Sequence, residues 1–356
     1  MTDRPAGPRC AALVGPYLSG KTTLLEALLF ASGTTHRRGT VKEGNTVGDH
    51  ASEARARQMT TELNVAAASF LGDSWTFLDC PGSVELGWEA QGALLAADVA
   101  VLVCEPETER ALTLSPLFKF LDDHQIPHMV FINKMDTATA RVSEVMAALQ
   151  SVSQKPLVLR QVPLPDPEGK AIGYVDLVSE RAYRYKPGHP SDLIKVPDDV
   201  LEEERVTRAG LIEKLADFDD KLLEQLLEDV QPSKDEIYGH LTQNLRGDLI
   251  VPVFLGSALQ ECGVRRLLKA LRHETPGVAT TAARLGLPEG TSDTVAQVVK
   301  TYHAPHSGKL SVVRVWSGQV TDGMTLNGTR VAGVLRLTGA TQEKRPSATA
   351  GEVVAL

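Results

Sequence analysis

The chain of 356 residues is 42% hydrophobic and 23% charged. These values are close to those of ordinary globular proteins, and they exclude a chain that is mainly disordered or a coiled coil. The formal net charge of -8 argues against a protein that coats nucleic acid through bulk positive charge, and we expect no sequence-specific binding of DNA. At roughly 100–200 residues per domain, the length predicts two or three domains.

The negative charge is concentrated in one segment. Between Asp198 and Asp229 the sequence has 12 acidic and 4 basic residues, so the rest of the chain carries 33 of each sign. Apolar residues recur within this segment at three- and four-residue steps, which predicts an amphipathic helix. Its carboxylates form either a solvated face or a docking surface for a basic partner, and both interpretations stay open.

The cysteines and the apolar runs indicate the cellular compartment. Cys10, Cys80, Cys104 and Cys262 lie far apart, without the paired spacing of a zinc or redox site. The first residues, MTDRPAGPRC, lack the apolar core of a secretion signal, and no run reaches the roughly 18 apolar residues of a membrane helix. We therefore expect a cytoplasmic protein in a reducing environment, without a membrane partner.

The first 150 residues alternate short apolar runs with helical patterns. Strands are predicted at CAALVG (10–15), WTFLD (75–79), DVAVLVC (98–104) and HMVFIN (128–133). A helix pattern, KTTLLEALLFA, follows the first strand, and LSPLFKFLDDH lies between the last two. This alternation predicts an α/β fold with a doubly wound parallel sheet. Residues 35–62 have weak periodicity, which is typical of a functional loop.

Residues 157–245 interrupt this pattern. LVLRQVPL and IGYVDLVSERAYRY flank the turn signal DPEGKA, which predicts an antiparallel hairpin before the acidic helix. LIVPVFLGSA (249–258) then restores the buried-strand pattern, and GVRRLLKALRHETP supplies a closing helix. We therefore predict a first domain over residues 1–277 with an inserted α+β subdomain at about 157–245.

The C-terminal part of the chain has a different pattern. Residues 278–292 are predicted to form a linker, and residues 293–356 contain only strand patterns separated by turns with glycine. This predicts an antiparallel β-barrel. The sequence stops at Leu356 on an apolar strand residue, and since a barrel must close to remove its edges, we expect an incomplete domain in a truncated chain.

The clearest chemical motif follows the first strand. GPYLSGKT has the Gly-x-x-x-x-Gly-Lys-Thr spacing of a phosphate-binding loop and opens a helix. Glycines let backbone N–H groups wrap phosphates at a helix N-terminus, Lys21 would contact the β- and γ-phosphates, and Thr22 would bind Mg²⁺. The alternative is an ordinary glycine-rich turn. The candidate nucleotide-binding residues are Gly15, Pro16, Tyr17, Leu18, Ser19, Gly20, Lys21, Thr22 and Thr23.

Three shorter motifs follow in order, each after a predicted strand. In DCPG, Asp79 would hold Mg²⁺ through water and the Gly82 N–H would meet a γ-phosphate. In NKMD, Asp136 would accept from the N–H donors of guanine, Asn133 would fix the loop, and the stem of Lys134 would cover the base. In GSA a backbone N–H would serve the guanine carbonyl; its residues are Gly256, Ser257 and Ala258. Each motif alone is weak, but the four in this order predict a guanine-nucleotide site.

With these motifs in place, the sequence resembles the translational GTPases, specifically elongation factor G and its paralogues. The phosphate loop, DCPG, NKMD, GSALQECGV and GKLSVVRVWSG match the layout of that family over nearly the entire chain. The resemblance implies that ARARQMTTE (54–62) is the first switch segment. It also implies that Thr60 contacts Mg²⁺ and the γ-phosphate, although Gln58 stands where the family has glycine.

Two further departures from the family bear on hydrolysis. The family continues DCPG with a histidine that positions the attacking water, and this chain has Ser83. The family has an acid in the phosphate loop that holds a monovalent cation, and this chain has Leu18. By the resemblance, the catalytic candidates are Lys21, Thr60, Gly82 and Ser83. The two substitutions leave nucleotide binding possible but predict slower hydrolysis.

Two functions follow from these observations. The first is a GTPase of the factor G type that binds GTP, GDP and Mg²⁺ and acts on the ribosome as a monomer. The second is a GTP-dependent binding switch or a ribosome-protection factor with slow or no hydrolysis, which Ser83 and Leu18 favour. A small-molecule kinase is a poor third interpretation, because NKMD and GSA would have no role in it. Hydrolysis measured with and without ribosomes would discriminate the first two.

Overall fold

The computed structural model describes residues 7–287, 293–304 and 308–356. The chain divides into two compact units. The first, here called the phosphate-loop unit, comprises Asp3–Val101 with Pro276–Leu356, and the second, the central unit, comprises Leu102–Thr275. This division does not follow the predicted domains 1–277 and 293–356, whose bounds stay a prediction.

The strands include all those predicted for the parallel sheet. In chain order they are β1 (Arg9–Val14), β2 (Asn64–Phe70), β3 (Asp73–Asp79), β4 (Val99–Cys104), β5 (His128–Ile132), β6 (Leu157–Leu159), β7 (Gln161–Pro165), β8 (Ala171–Asp176), β9 (Arg181–Arg184), β10 (Asp192–Ile194), β11 (Val251–Leu255), β12 (Val295–Ala304), β13 (Gly308–Ser317), β14 (Gln319–Thr321), β15 (Thr325–Leu326), β16 (Thr329–Arg330), β17 (Val334–Thr338), β18 (Thr341–Arg345), β19 (Ser347–Thr349) and β20 (Val353–Ala355). Strand β2 was not predicted.

The helices lie in both units of the chain. They are α1 (Lys21–Ala31), α2 (Ser52–Arg57), α3 (Gly87–Ala96), α4 (Thr108–Ala111), α5 (Ser115–Asp123), α6 (Val142–Gln150), α7 (Leu201–Ala216), α8 (Asp220–Leu227), α9 (Lys234–Arg246), α10 (Val264–Glu274) and α11 (Val278–Arg284). The predicted acidic helix is therefore two helices, α7 and α8. Within the described residues, no helix is long and apolar enough to cross a membrane.

In the phosphate-loop unit, the N-terminal and C-terminal strands form one continuous sheet. Strand β1 pairs in parallel with β3, and β2 pairs antiparallel with β3. The C-terminal strands β12, β13, β20 and β17 are antiparallel, as predicted. They reach the N-terminal strands through Thr338, which lies opposite Ala66 of β2. The C-terminal strands thus belong to the same compact unit as the phosphate loop.

The central unit combines a parallel and an antiparallel sheet. Strand β11 pairs in parallel with β5 on one side and with β6 on the other. Residues 157–159 therefore belong to the parallel sheet, and the inserted antiparallel sheet, in the order β10-β9-β8-β7, begins after them. Apolar side chains of α7, α8 and α9 pack with Val158, Val162, Leu177 and Val178 to form the core of the insertion.

The predicted linker, residues 278–292, is helical in its first half. Helix α11 has three alanines, which favour a helix, and its contacts fix it in place. The Arg284 guanidinium donates to the backbone oxygens of Leu95 and Ala97 at 3.0 and 3.1 Å. Residues 278–284 of the predicted linker thus form a helix that tertiary contacts stabilise, which the sequence pattern does not show; the bounds of the linker stay a prediction. Residues 288–292 lie outside the described residues.

A buried carboxylate joins three segments of the phosphate-loop unit. Asp98 is fully buried and accepts hydrogen bonds from the Cys10 backbone N–H at 2.7 Å and from the Thr281 hydroxyl at 2.6 Å. It also forms an ion pair of 2.8 Å with Arg314, which is fully buried as well. Because these partners lie on β1, α11 and β13, one carboxylate holds the N-terminal and C-terminal parts of this unit together.

We predict that Asp98→Asn lowers the free energy of unfolding by about 3–5 kcal/mol, because it leaves the Arg314 guanidinium buried without a counter-ion. Urea unfolding checks this value. The control is Asp322→Asn, which breaks only the exposed ion pair with Lys344 and should cost about 0.5 kcal/mol or less. A loss below about 1 kcal/mol for Asp98→Asn would contradict the proposed role of the pair.

Candidate nucleotide-binding site

The predicted phosphate loop connects β1, which is fully buried, to α1, which begins at Lys21. The backbone is left-handed at Gly15, Leu18 and Gly20, with φ angles of 144°, 67° and 94°. Glycine adopts this conformation without cost, whereas a residue with a Cβ pays roughly 1–2 kcal/mol. The Leu18 side chain is 57% exposed, so burial does not offset that strain.

The remaining residues of the loop differ in exposure. Tyr17 is exposed, Pro16 and Thr23 are half-buried, and Ser19 is fully buried. The Lys21 side chain is only 6% exposed, and its ammonium donates to the Pro16 backbone oxygen at 2.9 Å. The ammonium therefore lies over the loop, where the sequence predicts the phosphates.

Gly82 of DCPG lies directly against this loop. A methyl group at Gly82 would overlap the Lys21 ammonium and stand 2.8 Å from the Pro16 backbone oxygen. No side chain larger than hydrogen fits there without a shift of the loop. The structure therefore brings together the two motifs predicted to contact phosphate, and the absence of a side chain at Gly82 permits the approach.

Two threonine hydroxyls meet beside Lys21. Thr22 Oγ1 and Thr60 Oγ1 are 3.0 Å apart, and both side chains are buried. Thr22 donates to Asp79 Oδ2 at 2.8 Å, and Thr60 donates to Asp49 Oδ2 at 3.1 Å. Since each hydroxyl directs its proton to a carboxylate, the lone pairs of both oxygens are left to face one another.

This arrangement fits Mg²⁺. The ion takes oxygen ligands at about 2.0–2.1 Å in octahedral geometry, so two neighbouring ligands lie about 3.0 Å apart. The two threonine oxygens have that separation. Asp79 Oδ1 is buried and has no hydrogen-bond partner within the described residues, which suits an acceptor of a metal-bound water. The residues predicted for the metal, Thr22, Thr60 and Asp79, are therefore brought together.

The protonation of Asp79 depends on its burial. Burial, with the nearby carboxylate of Asp49, raises the pKa of Asp79 from 3.8 to about 7, against the opposing effects of Lys21 and Thr22. In the folded protein Asp79 holds its proton up to about pH 7, whereas the unfolded chain releases it near 3.8. The stability of the metal-free protein should therefore fall as the pH rises through this range.

Sequence reasoning missed three residues that shape this site. Asp49 binds Thr60 and accepts from Asn64 Nδ2 at 2.9 Å, and both are buried. Glu26 is 1% exposed and accepts from the backbone N–H groups of Gly39 at 2.8 Å and Val47 at 2.6 Å. Glu26 had a usable signal, a single acid in the apolar helix LLEALL. Asp49 and Asn64 had no such signal, because neither belongs to a motif. Asp49 lies in the loop of residues 35–62, and Asn64 begins β2, the strand that was not predicted.

Ser83 has an acceptor close by. Its hydroxyl donates to the carboxylate of Glu85, and both side chains lie at the surface. This hydrogen bond lowers the pKa of Glu85 below its usual value. The Ser83 hydroxyl is thus bound to a neighbour in sequence rather than held by the buried part of the site.

In the central unit, Asn133 connects NKMD to GSA. Asn133 is 2% exposed, and its Oδ1 accepts from the Ala258 backbone N–H at 2.8 Å. The Met135 backbone N–H donates to the Gly256 backbone oxygen at 3.0 Å. A methyl group at Gly256 would stand 2.6 Å from the Phe131 ring, which explains glycine at this position. Asn133 therefore connects the NKMD and GSA loops through one hydrogen bond.

The backbone N–H groups of GSA are all engaged within the protein. Gly256 donates to Ile132 at 3.0 Å, Ser257 to Cys262 at 3.0 Å, and Ala258 to Asn133 at 2.8 Å. A guanine carbonyl would therefore have to share one of these donors, most simply Ala258, whose acceptor is a side chain. The sequence motif did not reveal that these N–H groups already have acceptors within the protein.

The other two NKMD side chains differ in their surroundings. The Lys134 ammonium donates to Glu105, which also accepts from Arg110 and is only 6% exposed. Asp136 is half-buried, and no hydrogen bond to its carboxylate occurs within the described residues. The carboxylate predicted to accept from guanine thus keeps its acceptor oxygens available in this part of the chain. Glu105 is a further residue that the sequence motifs did not indicate.

Comparison with known proteins agrees with these motifs. The model of the family described as "Elongation factor Tu GTP binding domain" matches residues 8–277. The chain is 49% identical over 349 residues to a Synechocystis sp. protein described as an elongation factor G-like protein, covering 98% of this chain and 52% of that one.

A solved structure agrees as well. A crystal structure of a protein from Thermus thermophilus superposes with a TM-score of 0.87 at 29% identity, and covers 98% of this chain and 52% of the other. The chain thus spans about half the length of these two proteins.

We predict that Asp79→Asn removes the fall in stability that the metal-free wild type shows as the pH rises. The amide cannot ionise, so at about pH 8 in EDTA the variant should exceed the wild type in free energy of unfolding by about 1 kcal/mol or more, since each pKa unit corresponds to about 1.4 kcal/mol. At about pH 4 the two should agree. Urea unfolding at both pH values measures this, with Asp322→Asn as the control that should follow the wild type. A difference independent of pH would show that Asp79 does not titrate in this range.

Proposed function

The chain belongs to the family of the elongation factor Tu GTP binding domain, and we propose that it binds GTP and GDP with Mg²⁺ and hydrolyses GTP in association with the ribosome. The observation that carries the proposal is the meeting of Thr22, Thr60 and Asp79, which come from three separate motifs. Two hydroxyl oxygens 3.0 Å apart beside a buried carboxylate form a site suited to Mg²⁺ on a nucleotide triphosphate.

The phosphates would be held by the loop and by Lys21. Backbone N–H groups of the loop at the start of α1 favour anions, and the Lys21 ammonium lies over the loop. Burial lowers the pKa of Lys21, against the raising effect of Asp79 and Asp49, so the neighbouring carboxylates help to keep it charged. Mg²⁺ would bridge phosphate oxygens and neutralise charge that develops during transfer.

Guanine would be selected by NKMD. The Asp136 carboxylate accepts from the paired N–H donors that guanine has and adenine lacks, so adenine would leave Asp136 unpaired. Asn133 keeps NKMD and GSA in register, and the Lys134 stem covers the base. The bond from Lys134 to Glu105 holds the lysine in one place before the base arrives.

A second candidate function has its own support. In a GTP-dependent binding switch or a ribosome-protection factor, hydrolysis is slow. The serine side chain at position 83 is shorter than the histidine side chain that the family has there. Its hydroxyl donates to Glu85 at the surface, so it offers no extended donor that could hold an attacking water. Leu18 adds an apolar side chain where the family has an acid. A water that is not held in line raises the barrier by several kcal/mol.

The partner, the oligomeric state and the cellular compartment are proposed from the family. The ribosome is the partner that the elongation factor G-like relative suggests, and a monomer in the cytoplasm is the corresponding proposal. The chain spans about half the length of that relative, and for the chain we propose nucleotide binding and hydrolysis.

We predict that the wild type prefers GTP and GDP to ATP, and that Asp136→Asn shifts this preference toward xanthine nucleotides. The amide can donate to the extra carbonyl of xanthine, whereas the carboxylate only accepts. A competition titration measures the effect. The control is Asp192→Asn, which breaks only the exposed pair with Lys186 and should leave selectivity unchanged. Equal affinity of the wild type for ATP and GTP would contradict the guanine assignment.

We predict that intrinsic hydrolysis is slow and that Ser83→His with Leu18→Asp raises the rate more than either change alone, because both groups act on one transition state. Multiple-turnover assays with and without ribosomes measure the rates. Leu18→Asn is the control for charge, since asparagine tolerates the left-handed backbone equally well. Fast turnover by the wild type, or a double variant no faster, would contradict the slow-switch interpretation.

A further inference from the structure

Leu63 is held by side chains at both of its backbone groups. This residue follows Thr60 by three positions and precedes β2, and its side chain is buried. Its N–H donates to Glu89 Oε2 at 3.2 Å, and its carbonyl accepts from the Tyr302 hydroxyl. Glu89 lies on α3 and Tyr302 on β12. The end of the first-switch segment (54–62) is therefore held from outside by two other elements of the phosphate-loop unit.

Lys300 completes this contact. Its ammonium lies 2.6 Å from Glu89 Oε1 and 3.7 Å from Glu62 Oε2, and its side chain is only 16% exposed. The same ammonium is 5.8 Å from the ring centre of Trp88 and 5.6 Å from that of Tyr302. Lys300 is thus the counter-ion for a carboxylate next to Leu63 and for a carboxylate on α3. We call Lys300, Tyr302 and Glu89 the Leu63 clamp.

The clamp borders an open groove, and both Glu89 and Lys300 line it. A groove of about 750 Å³ borders this region and is lined by Met59, Thr61, Glu62, Ser83, Leu86 and Lys300, among others. Thr61 and Glu62 therefore have solvent beside them rather than a core. On the clamp side α3 and β12 are close, since a methyl group at Gly92 would stand 3.0 Å from the Val299 backbone oxygen. A rigid support and an open groove thus flank the same short segment.

We propose that Lys300 and Tyr302 are positioning residues for Thr60. They fix Leu63, and through the short stretch of chain between Leu63 and Thr60 they keep the Thr60 hydroxyl 3.0 Å from Thr22 Oγ1. This inference rests on the proposed function, in which Thr60 contacts Mg²⁺ and the γ-phosphate. GDP has no γ-phosphate, so the clamp should matter for the triphosphate and not for the diphosphate. The C-terminal strand β12 would thereby set the preference of the site for GTP over GDP.

The test measures two affinities in the full chain. We expect Tyr302→Phe and Lys300→Met each to weaken binding of a non-hydrolysable GTP analogue by about tenfold in Mg²⁺, as the loss of one buried hydrogen bond or ion pair implies. Binding of GDP should change by less than about twofold. The control is Lys344→Met, which loses an exposed ion pair with Asp322 in the same unit and should leave both affinities unchanged. Fluorescence titration of labelled nucleotides measures them.

Two further measurements separate positioning from a structural role. Lys300→Arg keeps the charge and should restore most of the affinity for the GTP analogue. In EDTA the difference between the clamp variants and the wild type should become smaller, because the contact of Thr60 with the metal is then lost. Thermal unfolding of Tyr302→Phe, which loses only a hydroxyl, checks that the fold is retained.

The outcomes are distinguishable. An unchanged ratio of GTP-analogue to GDP affinity in both clamp variants, with a wild type that binds both nucleotides, would overturn the positioning role and leave the proposed function intact. Equal loss of both affinities would also overturn it, since that points to a structural role. A wild type that binds neither nucleotide would overturn the proposed function and the inference with it.

Discussion

The buried carboxylate of Asp79 is the constraint on which the candidate site depends. It lies at the end of β3 with no exposure, accepts from the Thr22 hydroxyl, and has Asp49 and Lys21 as its charged neighbours. Burying two carboxylates together is costly without a cation. Lys21 supplies one positive charge, while burial and the neighbouring Asp49 raise the pKa of Asp79. In the proposed function, a divalent cation on a phosphate would supply further positive charge beside this side chain.

The phosphate-loop unit holds this site from two directions. Asp98 binds β1, α11 and β13 through hydrogen bonds and an ion pair that are all buried. On the other side, Glu89 and Tyr302 hold Leu63, close to Thr60. C-terminal elements take part in both places, since α11 and β13 supply partners of Asp98 and β12 supplies Tyr302. The C-terminal strands are therefore part of the support of the site, and the division of the chain into a nucleotide domain and a separate barrel does not describe these contacts.

The two departures from the family pattern, Leu18 and Ser83, differ in backbone and in surroundings from the buried part of the candidate site. Leu18 sits in the left-handed backbone region with an exposed side chain, and Ser83 donates to Glu85 at the surface. Neither residue contributes to the buried network of Thr22, Thr60, Asp79 and Asp49.

The sequence by itself determined the parallel strands, the four motifs and their order, because buried strands and phosphate loops have strong local signals in apolar runs and glycine spacing. Only the tertiary structure decided that Asp49 joins Thr60, that Glu105 binds Lys134, that α11 is a helix, and that Tyr302 reaches Leu63. These depend on contacts between residues far apart in the chain, where a hydroxyl or carboxylate acquires its role from what folding places beside it, and no local pattern records that.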